Sequence, residues 1–122
     1  MGGYFMVLVD TSVWIDHFKS NNQDLRSLLK EEQILTHPFV IGEIACGGHR
    51  QRAEILTLLP LLPQSTIASD AEVLAMLEDY ELYGKGIGWV DAHLLSASLL
   101  SRATLWTFDK KLGRLARDLG AS

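Results

Sequence analysis

Asp10, Glu43, Asp91 and Asp109 are the residues on which chemistry could rest in this chain, because each is a carboxylate in an otherwise apolar or small-residue context. Asp10 ends the apolar run of "LVDTSVWID" and Asp109 ends that of "LWTFD"; each follows a strand-like stretch and precedes a helical pattern. In an open parallel α/β sheet, ligands bind at the carboxyl ends of strands. Aspartate is also a favoured helix N-cap whose charge suits the helix dipole, so either residue taken alone could be a cap. Glu43 sits in "PFVIGEIACG", one turn after Phe39, where a lone charge either faces a cleft or partner or is a single solvated position. Asp91, in "GWVDAHLLSASLL", shares a helical stripe with Leu94, Leu95 and Ser98, which aims it inward near the helix start.

Four acids gathered in semi-apolar surroundings would repel one another and need a positive charge between them. Hard oxygen ligands, with no cysteine pair and no histidine spacing motif, point to Mg²⁺ or Mn²⁺. Such an ion can bind a phosphodiester oxygen, make water nucleophilic near neutral pH and stabilise the leaving oxygen. Neither a histidine base nor a serine nucleophile is then required.

Positioning these acids calls for alternating strands and helices. Tyr4 to Val9 reads as a buried strand, followed by helical spacing from Ser12 to Phe18 and from Asp24 to Leu29. Ile34 to Thr36 offers a second strand, and Pro38 suits the first position of a helix that Gly47 and Gly48 stop. Arg50 to Leu59 is a further helix closed by Pro60 and Pro63; "QSTIAS" offers a short third strand, and Ser69 to about Tyr83 a long amphipathic helix. "YGKGIG" is a turn into a helix from Trp89 to Arg102, "TLWTFD" is a strand, and Lys110 to Leu119 the last helix. Strands separated by helices indicate a parallel sheet with helices on both faces, since parallel pairing needs crossover connections.

The chain has 122 residues, 48% of them hydrophobic and 21% charged, as expected of one globular domain spanning 1–122. No apolar run approaches the roughly 18 residues of a membrane span, and "MGGYFMVLVD" lacks the basic start and cleavage site of a signal peptide. One cysteine, Cys46, forms no internal bridge and suits a reducing cytoplasm. A net charge of −4 argues against non-specific nucleic-acid binding by the bulk surface but leaves a local site open.

"VDTSVWID", "IGEIACG", "GWVDAHLLSAS" and "LWTFDKKL" resemble, in order and spacing, the four acidic motifs of PIN domains, most closely those of VapC-type toxins of bacterial toxin–antitoxin pairs. The resemblance runs from Leu8 to about Leu115. It implies a three-layer α/β/α fold on a short parallel sheet of four to five strands, and a Mg²⁺- or Mn²⁺-dependent endoribonuclease that arrests growth. It also implies homodimerisation and inhibition by a cognate VapB-type antitoxin. Carried over by position, Asp10, Glu43, Asp91 and Asp109 would be the catalytic, metal-binding acids, with Asp10 ending its strand and capping its helix as well. Ser12 and Thr107 match hydroxyl positions that hold a carboxylate or a metal-bound water. Because the chain ends at Ser122, the short closing strand at the sheet edge is expected to be missing or very short.

Lys110, Arg114 and Arg117 fall on the helix face opposite Leu112, Leu115 and Leu119, where they could bind RNA phosphates or form an ordinary solvated face. "GKGIGW" is not a dinucleotide fingerprint, because the third glycine would fall at Trp89. His17, His37, His49 and His93 show no zinc pattern, and His93 reads as a helix-face residue near the site. Trp14 and Phe18 form an i, i+4 pair suited to core or dimer packing. Two rivals remain: a phospho-accepting receiver domain, which wants an adjacent acidic pair where Thr11 and Ser12 follow Asp10, and a PIN-like module that binds RNA or a partner without cutting.

Overall fold

Val7–Val9 (β1) is buried along its whole length in the middle of a three-stranded parallel sheet. Ile34–Leu35 (β2) pairs on one side and Thr104–Trp106 (β3) on the other, with Val7 opposite Ile34 and Thr104 and Leu8 opposite Leu35 and Leu105. A continuous apolar run is what a strand covered on both faces requires. The computed structural model describes residues 5–122; Tyr4, the expected start of the first strand, lies outside them.

Thr11–Ser20 (α1) and Gln23–Lys30 (α2) lead from β1 to β2. Pro38–Cys46 (α3), Arg52–Leu58 (α4), Asp70–Asp79 (α5) and Trp89–Ser101 (α6) lead from β2 to β3, and Lys110–Asp118 (α7) follows. Because β2 and β3 flank β1 on opposite sides, right-handed crossovers send the helices to both faces and leave a crevice at the carboxyl end of β1. Local signals set the helix starts. The Asn22 side chain accepts from Leu25 N–H at 2.9 Å, Pro38 opens α3, and Ser69 with Glu72 forms a reciprocal capping box on α5.

The core centres on α6, where every residue from Ala92 to Ser98 is buried. Its alanines and serines admit close approach, Leu94 and Leu95 are fully buried, and the helix packs against α5, α7 and β3. The Trp14 and Phe18 rings stack at 6.0 Å, with Trp14 itself in the core.

Several boundaries differ from the sequence pattern. Three strands form among the described residues rather than four or five. "QSTIAS" contributes one bridge, Thr36 with Gln64, and pairing stops there because the next donor on the partner segment would be Pro38, which has no N–H and opens α3. The helix expected to reach Tyr83 ends at Asp79, since Glu81 turns left-handed (φ 53°) and Leu82 drops into the core. Arg52–Leu58 is shorter than the expected 50–59 and tightens at Leu59–Leu61 into a 3₁₀ turn around Pro60. Beyond α7, Gly120 turns the chain at φ 78° and the Ala121 carbonyl accepts from Leu105 N–H at 2.7 Å, one edge contact without a strand.

Leu94 makes no contact with solvent, so Leu94→Ala should leave a cavity and lower the unfolding free energy by about 2–5 kcal/mol in urea titration. A change under about 0.5 kcal/mol, the size expected at a surface site, would contradict this packing.

Candidate active site

Asp10 lies at the carboxyl end of β1 and is 7% exposed. Its N–H donates to the Trp106 carbonyl at 2.9 Å, which carries the β1–β3 pairing one residue further and sets the side chain at the edge of the sheet. Ser12 Oγ donates to Asp10 Oδ2 at 2.8 Å, and Thr107 Oγ1 donates to the same oxygen at 2.7 Å. Among the described residues, Oδ1 takes no hydrogen bond. Asp10 also occupies the N-cap position of α1 with extended backbone, yet its side chain makes no capping bond. The expected cap role therefore fails: the carboxylate is turned from the helix amides toward the two hydroxyls.

Those hydroxyls also bind the next turn. Ser12 Oγ accepts from Phe108 N–H at 3.1 Å, and Thr107 Oγ1 accepts from Asp109 N–H at 3.0 Å. The turn after β3 is thereby clamped to the turn after β1. Asp109 does cap its helix, with Oδ1 accepting from Leu112 N–H at 3.0 Å, and it is exposed. The strand expected to run through "TLWTFD" stops at Trp106, so Asp109 lies three residues beyond it; two aspartates that look alike in sequence thus behave differently, one held by side chains and one by a helix.

Glu43 is exposed on α3, and its Oε1 accepts from Thr11 Oγ1 at 2.6 Å. Thr11 was not singled out by the sequence pattern; its one signal is a hydroxyl in the first helical turn directly after Asp10. Asp91 is half-buried in the first turn of α6, where Oδ2 accepts a long bond, 3.4 Å, from Gly88 N–H. Burial raises its pKa above the usual aspartate value; the Gly88 bond opposes this, while the charges of Asp10, Asp109 and Glu43 raise it further. Asp91 is thus within electrostatic reach of each of the other three acids. No three His, Cys, Asp or Glu side chains among the described residues close into a ready-made metal cage.

As donors, these four carboxylates are hard oxygens with no thiolate or imidazole among them, which fits Mg²⁺ or Mn²⁺ better than zinc. Mg²⁺ keeps several waters and asks for only one or two direct carboxylates, so a loose acidic set matches its habits. Asp10 through Oδ1, Glu43, Asp91 and Asp109 are the residues that could hold such an ion.

Lys110 and Arg114 are exposed on α7, which begins beside Asp109. Arg117 is also exposed but lines a cavity of about 520 Å³ with Val7, Leu28, Trp106 and Thr107, which contains none of the four acids. His93, by contrast, is buried between the rings of Phe39 and Trp89 (centroids at 4.7 and 4.6 Å), and its Nε2 lies 3.1 Å from Asp70 Oδ1. His37 is fully buried and caps α3, its Nδ1 accepting from Phe39 N–H at 3.0 Å; burial, helped by the His93 charge, pushes its pKa down to about 4. The two histidine rings meet edge to face at 6.5 Å.

The raised pKa of Asp91 has a consequence for stability. The folded state holds this proton more tightly than the unfolded one, so stability falls as pH rises from the ordinary aspartate pKa through the raised folded value, and the penalty stays in full above it. In EDTA at pH 7, Asp91→Asn should therefore melt at a higher temperature than the parent, with the gap closing toward pH 4. A variant that melts below the parent at pH 7 would refute this electrostatic account.

The sequence matches the PIN domain family model over residues 7–118. It is 42% identical over 118 residues to ribonuclease VapC32 of Mycobacterium tuberculosis, from strains CDC 1551 / Oshkosh and ATCC 25618 / H37Rv alike, covering 96% of this chain and 95% of the relative. The receiver-domain alternative is set aside by this match. With the acids of all four motifs gathered at the carboxyl edge of a parallel sheet, the chain belongs to the PIN domain family and is of its VapC type.

Proposed function

We propose that this protein is a Mg²⁺- or Mn²⁺-dependent endoribonuclease, the toxin of a toxin–antitoxin pair, with its 122 residues acting as one PIN domain. The observation that carries this reading is Asp10: a carboxylate 7% exposed at the end of the central strand, held by two hydroxyls through one oxygen. Its side chain makes no capping bond to the helix that it precedes. The name of the relative, ribonuclease VapC32, supplies the reaction class.

Asp10, Glu43, Asp91 and Asp109 would hold the divalent cation, which when bound stabilises charge on the phosphodiester and favours a water nucleophile. The hydroxyl of Ser12 donates to Asp10 and accepts from Phe108 N–H, so it is committed to orientation and is not free to attack phosphorus. Thr107 is committed likewise between Asp10 and Asp109 N–H. Lys110 and Arg114 lie on the helix that starts at Asp109 and would offset phosphate charge next to the acids; Arg117, facing another cavity, contributes less. The acidic surface without a cation would repel RNA, which makes binding and cleavage both depend on the ion. Inhibition by a VapB-type antitoxin, homodimerisation and a cytoplasmic location complete the reading. Among the described residues no helix is long and apolar enough to cross a membrane.

Purified protein incubated with unpaired and structured RNAs should cleave them with Mn²⁺ and stop in EDTA. Asp10→Asn should lower the rate by about 100-fold or more, the loss expected when a group that stabilises the transition state is removed. Cleavage in EDTA, or full activity in Asp10→Asn, would sink the mechanism; tight RNA binding without cleavage would favour the non-cutting PIN-like module.

Alanine at Lys110 and Arg114 should weaken RNA binding evenly across sequences. The slope of log affinity against log salt should shrink by about one for each phosphate that is no longer neutralised. A salt slope unchanged in the double variant would remove these two residues from the RNA path.

A further inference from the structure

We propose that Thr11 is a positioning residue that holds Glu43 toward Asp10, an inference that rests on the metal-dependent reading above. Glu43 projects from an exposed stretch of α3 on a side chain with three rotatable bonds, and a ligand on such an arm loses rotamer freedom when it engages an ion. Thr11 removes that freedom beforehand. Its hydroxyl has one proton, which it donates to Glu43 Oε1 at 2.6 Å, the short distance of a hydrogen bond to a charged acceptor. The β-branched side chain is stiff at χ1, and Thr11 is both the first residue of α1 and the residue after Asp10. The position of its hydroxyl is therefore set relative to the Asp10 carboxylate, and the glutamate it captures is set with it.

The tripeptide Asp10-Thr11-Ser12 then serves the whole acidic edge. Asp10 supplies a carboxylate, Thr11 reaches across to Glu43 on α3, and Ser12 binds both Asp10 and the turn that carries Asp109. The packing of α1 against α3 supplies the fixed separation over which the Thr11 bond acts.

Manganese affinity measured by calorimetry on the full chain tests this. Thr11→Val keeps the shape and removes the donor, and should weaken Mn²⁺ binding by about 10- to 100-fold, as loss of a partner behind a metal ligand does. Thr11→Ser, which keeps the hydroxyl, should restore it. In a Glu43→Gln background, Thr11→Val should cost little more, because the two act as one unit. If Thr11 only ties α1 to α3, Thr11→Val will lower the melting temperature in EDTA and leave Mn²⁺ affinity intact, and the proposal fails. An equal further loss of affinity in the Glu43→Gln background also overturns it. Asp10→Asn separates the two levels: weak binding there with normal binding in Thr11→Val rejects only the role of Thr11. Normal binding in both rejects the metal-dependent reading and this inference with it.

Discussion

One oxygen, Oδ2 of Asp10, accepts hydroxyl protons from Ser12 in the next helix and from Thr107, 97 residues further along the chain. Ser12 follows β1 and Thr107 follows β3, so the bond pair forms only when β3 has docked beside β1 in register. Once formed, the hydroxyl oxygens accept the amides of Phe108 and Asp109, and the start of α7 is oriented by the same bonds. Hydrogen bonds to a carboxylate are stronger than neutral ones, and in a half-buried setting they compete less with water. The edge of the fold is in this way organised around an acid rather than around an apolar plug.

That choice sets electrostatics against packing. The acidic edge rests on a core whose central helix is buried for seven residues, Ala92 to Ser98, and Asp91 stands at the entrance of that helix. Its burial and its three acidic neighbours all disfavour its charge, with a single long amide bond in opposition. A neutral side chain at this position would be free of that repulsion. The unfavourable placement has the pattern expected where like charges are kept together for a counter-ion. Histidine takes the opposite course: His37 and His93 sit deeper still, as aromatic packing and a helix cap, with charge removed from His37 by burial.

Much of this was legible along the chain. Apolar runs ending in aspartate located β1 and β3, and the Ser69–Glu72 pair and Pro38 located the starts of α5 and α3, because such signals act within a single turn. Helix ends were less legible. The stop of α5 at Asp79 follows from Leu82 entering the core, a distant event that local spacing does not encode. The third strand sought in "QSTIAS" reduces to a bridge because the segment it pairs with turns into α3 at Pro38, which has no N–H to carry the ladder on, a limit set by the partner and not by "QSTIAS" itself.

The sequence by itself determined which acids this protein has, their order and the hydroxyls beside Asp10, since residue type and spacing are properties of the chain. It left Asp10 and Asp109 indistinguishable, each an aspartate between strand and helix and equally suited to capping. Only the tertiary structure decided between them: Thr107 arrives at Asp10 through pairing of β3 with β1 and draws its carboxylate away from the helix, whereas Asp109 keeps its bond to Leu112 N–H. The bond from Thr11 to Glu43, 32 residues apart, has the same origin. Periodicity can put a hydroxyl on a helix, but the packing of α1 on α3 supplies the carboxylate it meets.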